Sequence, residues 1–430
     1  MEKERETTKL GKLGILMGGG PAPGINGVIH SATIQAITNG MEVVGIYDGF
    51  KHLMEGKLLG TPLSIDDVSR IHLVGGSILR TSRANPTKAE ATLENCGKAL
   101  IEAGIGYLVA IGGDDTAFSA YRVAKYAQEN LGTTIKTVHV PKTIDNDLPL
   151  PDDIRTFGFE TAREIGTRIV RRLMEDALTT QRWYLGVTMG RKAGHLALGI
   201  GKSAGATITL IPEEWGTRII RLQEVVDILA TSIIRRLVDG KPYGIALIAE
   251  GVIEHMSHND LQQLDYVERD AHGHIRLSEI NFADMVKRQL LLDLKALGIK
   301  MRIVDKEIGY ELRCADPIAF DVDYTRSLGE AAVTFLLEGG THATITIQNN
   351  QIAPIPLESM MDPETGRTEV RQVNTDSFTY RSAQKFMIRL KPEDATNEIL
   401  LAQMASQTNL SLEDFKARYG YLIGIAPRPF

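Results

Sequence analysis

One pattern recurs along this chain: a short apolar run, then a turn rich in glycine or charge, and then a segment with helical periodicity. Such runs occupy residues 13–17, 107–111, 138–140, 183–188, 206–211 and 244–249. Apolar strands that alternate with helices are typical of a parallel sheet covered by helices on both faces. In such sheets, ligands bind beyond the carboxyl ends of the strands. The pattern therefore predicts a doubly wound α/β fold whose functional groups lie along one sheet edge.

The amino-acid composition limits the kinds of molecule that this protein is expected to bind and the compartment that it is expected to occupy. The formal net charge of the 430 residues is −6, which argues against a nucleic-acid or anionic-membrane partner. The two cysteines, Cys96 and Cys314, lie far apart without metal-binding spacing, which fits a reducing compartment. The sequence has no apolar stretch of about twenty residues and no apolar signal segment at its start. We expect a cytoplasmic enzyme that acts on small molecules.

The segment 137–147, TVHVPKTIDND, joins an apolar strand to a dense group of polar side chains. Lys142 and Thr143 follow the apolar residues, and Asp145, Asn146 and Asp147 end the segment. A carboxylate pair and a cation at the end of a strand are suited to holding a ligand at the open edge of the sheet.

Two glycine-rich turns follow other apolar runs, at residues 18–20 and 112–113. Glycine lets backbone N–H groups approach an anion without interference from a Cβ atom, although ordinary tight turns share this composition. The second turn leads into Asp114 and Asp115, whose charges repel each other. A bound Mg²⁺ that also contacts phosphate oxygens would relieve that repulsion; alternatively, Asp115 caps the following helix. Anion loops, carboxylates and a lysine together indicate phosphoryl transfer, which needs charge neutralisation, a metal and a general base.

These residues resemble the motifs of the 6-phosphofructokinase family. The matching segments are GGPAPGIN at 19–26, GGDDT at 112–116, PKTIDND at 141–147, MGR at 189–191, EG at 250–251 and YELR at 310–313. The resemblance covers about residues 12–321, and the PKTIDND segment is highly specific. It implies a phosphotransferase that uses Mg²⁺ and acts on fructose 6-phosphate.

The resemblance also implies residue roles. Asp145 would take the proton from the sugar 1-hydroxyl, in a catalytic group with Lys142, Asp115 and Asp147, while Asp114 would hold the metal. The phosphoryl donor would contact Gly19, Gly20, Arg83, Thr116 and Lys142. The sugar phosphate would contact Thr143, Ile144, Asp145, Arg182, Met189, Gly190, Arg191, Glu250, Tyr310 and Arg313.

Two positions bear on separate points: Arg182 on the number of subunits, and Val304 on a contact to the phosphate. Arg182 resembles the arginine that family members lend to a neighbouring subunit, so we expect a homo-oligomer, a dimer or a tetramer, with a shared active site. Family members usually carry another arginine where this chain has Val304, and Arg302 or Lys306 are the candidates to replace it.

Asp115 and Lys142 bear on the phosphoryl donor. ATP-using members commonly have glycine at both positions, and this pair resembles the pyrophosphate-dependent branch. A carboxylate at 115 would repel the α-phosphate of ATP, whereas a lysine at 142 would neutralise pyrophosphate and the leaving phosphate. We therefore expect a reversible pyrophosphate-dependent enzyme. The alternatives are an ATP-dependent phosphofructokinase, a lipid or NAD kinase, a non-catalytic sugar-phosphate-binding subunit, and an enzyme that also accepts sedoheptulose 7-phosphate.

The expected domains are two Rossmann-like units with the active site between them, plus a C-terminal extension. Residues 1–150 would bind the donor, and the chain would return near 275–300 to complete this domain. Residues 151–274 would bind the sugar phosphate, completed near 301–325. Residues 326–430 form a C-terminal segment to which the sequence assigns no role.

Overall fold

The computed structural model describes residues 11–151, 153–262, 281–361 and 368–429. The strands are β1 Lys12–Met17, β2 Val43–Ile46, β3 Gly60–Pro62, β4 Ile105–Gly112, β5 Lys136–Pro141, β6 Trp183–Thr188, β7 Ile208–Leu210, β8 Gly244–Ala249, β9 Ile303–Ile308, β10 Ala343–Gln348 and β11 Gln351–Pro356. The α-helices are α1 Ile25–Thr38, α2 Ile65–Val68, α3 Glu90–Glu102, α4 Asp114–Asn130, α5 Phe159–Thr180, α6 His195–Ala204, α7 Leu222–Val238, α8 His258–Gln262, α9 Phe282–Ala296, α10 Tyr310–Arg313, α11 Ala319–Leu337, α12 Phe378–Phe386, α13 Glu398–Ser406 and α14 Leu412–Tyr419.

The first compact unit comprises Met1–Ala162 and Tyr310–Arg371. Its sheet has the strand order β11-β10-β5-β4-β1-β2-β3. The strands from β10 to β2 are parallel, and β11 and β3 run antiparallel at the two edges. Side chains of β1 alternate between the two faces: Leu13 and Ile15 pack with α1 and α11, whereas Leu16 packs with α3 and α4. Helices therefore cover both faces of this sheet.

Glycines let α1 and α11 approach closely in this unit. A Cβ atom at Gly329 would lie 2.5 Å from the Val28 carbonyl oxygen and 3.0 Å from the Ala32 nitrogen. A Cβ atom at Gly27 would likewise meet the side chain of Thr325. Because the obstacle at Gly329 is backbone, it cannot move aside as a flexible side chain can.

The β10–β11 hairpin turns at Asn349 and Asn350, as its alternating sequence predicts. Both residues have positive φ, +51° and +60°. A two-residue turn of this kind needs φ above zero at both central positions, which asparagine tolerates better than most residues. β10 pairs in parallel with β5, with Ala343 opposite Val138, so the hairpin extends the main sheet.

The second compact unit comprises Arg163–Gly309 and Gln372–Phe430. Its sheet has the order β7-β8-β6-β9, and all of its strands are parallel. On one face, α7 and α9 share a core with α13 and α14, through side chains such as Leu229, Leu290, Met404 and Phe415. On the other face, α6 packs with α12. The doubly wound α/β architecture expected from the sequence is confirmed.

The boundaries of the units differ from the expected ones. The chain passes from the first unit to the second after Ala162, returns to the first after Gly309 and enters the second again after Arg371. The expected changes of unit lay near residue 150 and within residues 275–300 and 301–325. Residues 326–430 are not a separate segment: α11 and the hairpin complete the first unit, and the helices after Arg371 contribute buried side chains to the cores of the second.

Two further expectations concern individual segments. The polar composition of residues 252–274 predicts a loop or an insertion, but the described residues 252–262 begin inside the 3-10 helix Glu250–His255 and continue into α8. His272 and His274 lie outside the described residues. None of the helices in the described part of the chain is long and apolar enough to cross a membrane.

Candidate active site

The first glycine loop, residues 18–20, follows β1 in the first unit and is held by the segment before Arg83. The Gly19 N–H donates to the Ser82 carbonyl (2.9 Å), and the Thr81 hydroxyl donates to the Gly19 carbonyl (2.6 Å). Gly19 has a φ of +81°, a conformation that favours glycine. Arg83, expected to contact the donor, is exposed immediately beyond these contacts.

The two glycine loops meet around the Thr116 side chain. A Cβ atom at Gly18 would lie 3.0 Å from the Thr116 Cγ2, and one at Gly112 would lie 2.7 Å from the same atom. Thr116 is buried, so its hydroxyl fills the space that these missing side chains leave. Both loops therefore depend on glycine for their approach to each other.

Lys142 lies at the centre of the site. It is 5% exposed, its Nζ donates to the Gly20 carbonyl (2.6 Å), and its backbone N–H donates to the Gly112 carbonyl (2.9 Å). Burial lowers the pKa of Lys142 to about 8, opposed chiefly by the negative charge of Asp145 and reinforced by the charge of Arg313. This lysine joins the first glycine loop to the end of β5.

Asp114 and Asp115 form the first turn of α4, where carboxylates are stabilised by the helix dipole. The Asp115 N–H donates to Asp114 Oδ1 (2.9 Å), and Asp115 is exposed. The N-cap of α4 is Gly113, without a side-chain capping bond, so the alternative that Asp115 caps the helix is wrong. No group of three or more metal-binding side chains was found among the described residues.

The segment that carries Asp145 and Asp147 is tied down by its own neighbours. The Asp145 N–H donates to the Thr143 hydroxyl (3.0 Å), and the Thr156 hydroxyl donates to the Thr143 carbonyl (2.8 Å). Asn146 is 1% exposed with a φ of +56°, and its Oδ1 accepts from the Thr156 N–H (3.1 Å). Asp145 and Asp147 are half-buried on either side of it. The two carboxylates are therefore presented by a fixed left-handed turn.

The side chain of Ile144 belongs to the interior. It is 6% exposed, between the half-buried Thr143 and Asp145. We expected Ile144 to contact the sugar phosphate; its buried side chain leaves the backbone as the part that a ligand can reach.

Tyr310 and Arg313, expected to hold the sugar phosphate, occupy α10 in the first unit. The Arg313 Cζ lies 5.4 Å from the centre of the Tyr310 ring, and that ring is 75% exposed. A Cβ atom at Gly20 would lie 3.0 Å from the Arg313 Cζ. The guanidinium group therefore lies over the first glycine loop, close to Lys142.

His139 is a residue of the site that the sequence analysis did not assign. It is fully buried in β5; its Nε2 contacts the Gly112 carbonyl (2.8 Å) and its Nδ1 contacts the Thr344 hydroxyl (2.9 Å). Because a carbonyl only accepts, Nε2 carries the proton and Nδ1 accepts from the threonine. Burial lowers the pKa of His139 to about 4, so the ring is neutral near pH 7. A neutral histidine thus fixes the second glycine loop from behind.

In the second unit, the turn 189–191 follows β6 and contacts the ends of both neighbouring strands. The Met189 N–H donates to the Ile308 carbonyl (3.1 Å), and the Gly251 N–H donates to the Gly190 carbonyl (3.2 Å). Gly190 has a φ of +126°. The predicted convergence of this turn with Glu250, at the carboxyl ends of parallel strands, is present.

The Arg191 and Glu213 side chains differ in how firmly they are held. Arg191 is exposed and lies 3.3 Å from Glu254. Glu213 Oε1 accepts from the N–H groups of Gly194 (2.8 Å) and Val373 (2.9 Å), and burial raises the pKa of this carboxyl group. Glu213, which the sequence analysis did not assign, therefore supports the start of α6 behind the turn.

Arg182 lies at the other end of β6. It precedes the strand, whereas the 189–191 turn follows it, and six extended residues span about 20 Å. Its Nε donates to the Thr180 hydroxyl (2.5 Å) and lies 3.5 Å from Asp176 Oδ2. Val304 is paired with Tyr184 near the same end. The second unit therefore does not bring Arg182 together with Met189, Gly190, Arg191 and Glu250.

Comparisons with known proteins agree with these features. The family model described as Phosphofructokinase matches residues 12–336. A relative from Thermotoga maritima, named pyrophosphate–fructose 6-phosphate 1-phosphotransferase, is 52% identical over 417 residues, which is 95% of this chain and 98% of the relative. A relative of the same name from Naegleria fowleri is 47% identical over 423 residues, 96% of this chain and 95% of its own.

Two further comparisons mark the range of the similarity. A relative from Clostridium perfringens, named ATP-dependent 6-phosphofructokinase 1, is 30% identical over 354 residues, 82% of this chain and 94% of its own. The crystal structure of a pyrophosphate-dependent phosphofructokinase from Marinobacter aquaeolei has a TM-score of 0.66 at 19% identity, covering 89% of this chain and 92% of its own. That structural likeness concerns the fold alone.

Proposed function

Because this chain belongs to the phosphofructokinase family, we propose that it transfers a phosphoryl group from pyrophosphate to the 1-hydroxyl of fructose 6-phosphate. The products are fructose 1,6-bisphosphate and phosphate, a step of glycolysis that this donor allows to run in both directions. The observation that carries the choice of donor is the pair of Lys142, buried against Gly20, and Asp115, exposed at the start of α4.

Asp145 is the general base. It takes the proton of the sugar 1-hydroxyl as the oxygen attacks the terminal phosphorus of pyrophosphate, and the bond from that phosphorus to the bridging oxygen breaks. The turn at Asn146 supports this role, since it fixes the direction of the carboxylate before the substrate binds. Asp147, on the other side of Asn146, supports the same transition state.

Lys142 neutralises the pyrophosphate and the phosphate that leaves. Its Nζ lies at the Gly20 carbonyl, next to the loop where Gly19, Gly20 and Thr116 receive the donor. Arg83 and Arg313 add positive charge at the margin of this loop. Asp115, exposed at the start of α4, repels the α-phosphate that an ATP molecule would carry.

The carboxylates at the start of α4 suit a magnesium ion. Mg²⁺ is commonly bound through one or two carboxylates together with substrate phosphates, and the two adjacent aspartates in the first turn of α4 provide that donor set. Asp114 is the residue that would hold the ion, which when bound supplies charge neutralisation to the phosphate oxygens.

We infer contacts to the sugar phosphate for residues of each unit taken by itself. In the second unit these are Met189, Gly190, Arg191 and Glu250, and in the first they are Thr143, the Ile144 backbone, Tyr310 and Arg313. Arg182 contacts the sugar phosphate bound to a neighbouring subunit, since about 20 Å of strand separates it from the turn in its own chain. We therefore infer a homo-oligomer, a dimer or a tetramer, located in the cytoplasm.

The deciding experiment compares initial rates with fructose 6-phosphate and Mg²⁺ when either pyrophosphate or ATP is the donor. We expect activity with pyrophosphate, and with ATP a kcat/KM lower by at least about 100-fold. Activity with ATP alone would overturn the choice of donor but leave the base in place. A protein inactive with both donors would favour the non-catalytic sugar-phosphate-binding alternative.

A further inference from the structure

Arg371 is the last residue of the first unit before the chain enters the second, and its side chain reaches back to the turn that carries the base. The backbone N–H of Arg371 donates to the Asp147 carbonyl (2.9 Å). Its Nε and Nη2 both donate to the Asn146 carbonyl, each at 3.1 Å, and Nη2 also donates to Asn146 Oδ1 (2.5 Å).

The other terminal nitrogen of Arg371 holds the continuation of the same loop. Its Nη1 lies within hydrogen-bonding distance of the carbonyl groups of Leu150 (3.2 Å), Pro151 (3.0 Å) and Ile154 (2.7 Å). One guanidinium group therefore binds four backbone carbonyls between residues 146 and 154. Lysine has a single nitrogen and cannot reproduce this planar fork.

These contacts converge on the residue that determines where the carboxylates point. Asn146 is buried with a φ of +56°, and Asp145 and Asp147 are its two neighbours. Asparagine tolerates a left-handed backbone better than most residues do, but a single direction for the flanking side chains requires that surrounding contacts hold the turn. The bonds from Arg371 to both the carbonyl and the side chain of Asn146 provide that enforcement.

We propose that Arg371 is a positioning residue for catalysis, acting through the Asn146 turn to hold Asp145 at the reacting hydroxyl. The inference rests on the proposed function, in which Asp145 is the general base. Arg371 lies 225 positions after Asn146, the residue that it holds. It precedes the C-terminal helices by only a few positions.

The first test is Arg371→Lys, assayed for kcat and for both KM values with pyrophosphate as donor. We expect kcat to fall roughly 100-fold, because a displacement of the base by about 1 Å has that effect. The KM values should change by less than about threefold, since the residues that bind both substrates remain. A kcat within about threefold of wild type in a folded protein would overturn the proposal.

The matched control is Arg235→Lys in the second unit. Arg235 also ties the C-terminal part of the chain to an earlier element, through Asp394 (2.7 Å), and it touches no residue assigned to the site. Both variants should lose thermal stability, but only Arg371→Lys should lose kcat. Equal losses of kcat in the two variants would mean that Arg371 acts through general stability alone.

A double-mutant comparison tests whether Arg371 acts through the base. In an Asp145→Asn background, Arg371→Lys should lower kcat by less than about threefold further, because the group that Arg371 positions is already lost. Additive losses would contradict the proposed route. If Arg371→Lys does not fold, Thr156→Val loosens the same turn more mildly and should lower kcat with little change in KM; an unchanged kcat there would also contradict it.

The wild-type assay separates the two proposals. Wild-type activity with pyrophosphate, together with normal activity of Arg371→Lys, would overturn the inference and leave the function standing. A wild-type protein inactive with pyrophosphate and with ATP would overturn the function, and with it the base that Arg371 is inferred to position.

Discussion

Burial lowers the pKa of two side chains of this site, His139 in β5 and Lys142 just after it. Burial lowers the pKa of Lys142 to about 8, so free enzyme loses the charge that binds the donor as the pH rises through that value. We predict that kcat/KM for pyrophosphate falls above about pH 8. At saturating pyrophosphate, kcat/KM for fructose 6-phosphate should lack this decline, because the bound anion keeps the lysine protonated.

The control for this pH dependence is Lys142→Arg, whose guanidinium stays charged throughout the range. The ionisation of pyrophosphate itself is common to both proteins, so their difference isolates the lysine. A decline of the same shape in both would assign it to the substrate.

For His139, burial lowers the pKa to about 4, whereas an unfolded histidine ionises near 6.5. Between these values the unfolded chain binds more protons, so the free energy of unfolding falls as the pH falls, by at most about 3 kcal/mol. We predict that this loss is absent from His139→Asn, and thermal melting of both proteins from pH 7 to pH 4 measures the difference. Parallel melting curves would show that His139 titrates normally.

The proposed role of Asp115 is to set the preference for the phosphoryl donor. We predict that Asp115→Gly raises kcat/KM with ATP by roughly 10-fold or more relative to pyrophosphate, because it removes a charge that repels the α-phosphate. Asp115→Asn keeps the size of the side chain and removes its charge, and so separates repulsion from steric exclusion. Unchanged donor preference in both variants would remove Asp115 from this role.

The sequence predicted which residues lie together where those residues are neighbours along the chain. Lys142, Asp145 and Asp147 lie in one strand and its turn, and the fold brings Lys142 to the glycine loop as expected. Arg371 and His139 were missed because their partners are distant or are backbone atoms. No local pattern marks an arginine that binds carbonyl groups more than two hundred positions earlier.

Among the elements, the crossing of α1 and α11 gives a sharp test of packing. We predict that Gly329→Ala lowers the free energy of unfolding by about 1–2 kcal/mol, because overpacking against backbone outweighs the gain in helix propensity. The control is Gly97→Ala in α3, where the atom closest to the added Cβ would be the movable tip of Leu131, at 2.9 Å, and the next, Ala127 Cβ at 3.7 Å, is at an ordinary contact distance. Thermal melting should show a loss for Gly329→Ala and little change or a gain for Gly97→Ala; the reverse order would refute the packing argument.

Element types were predictable where periodicity or turn chemistry is strong, as in β6 or the hairpin at Asn349 and Asn350. The partners of those elements were not. The sequence placed the hairpin in a C-terminal segment without a role, yet β10 pairs with β5 and brings Thr344 against His139 of that strand. Pairing between strands two hundred residues apart depends on the whole fold and leaves no mark in either strand.

For the whole molecule, the position of Arg182 far from the turn in its own chain predicts an active site completed by a second subunit. Arg182→Ala and Asp145→Ala chains, each inactive alone, should recover part of the activity when mixed and allowed to exchange subunits. The reason is that one kind of mixed site contains both intact residues. Pairing Lys142→Ala with Asp145→Ala is the control, since both residues lie in the same unit and no mixed site regains both. Absence of recovery in verified mixed oligomers would place Arg182 outside a shared site.

The three crossings of the chain between the units also govern how the protein is made. A ribosome releases the sequence in order, so β5 emerges long before β10, its neighbour in the sheet, has been synthesised. The second unit is completed later still, because its core includes side chains of α14, which follows the whole of the first unit in the sequence. Neither unit can finish folding as a nascent domain, and each relies on contacts of long sequence separation, which slow folding and leave partly folded chains exposed to aggregation. A chain that stops before α13 and α14 would therefore leave the core of the second unit incomplete although most of that unit had been synthesised, so these two helices are needed for production of folded protein.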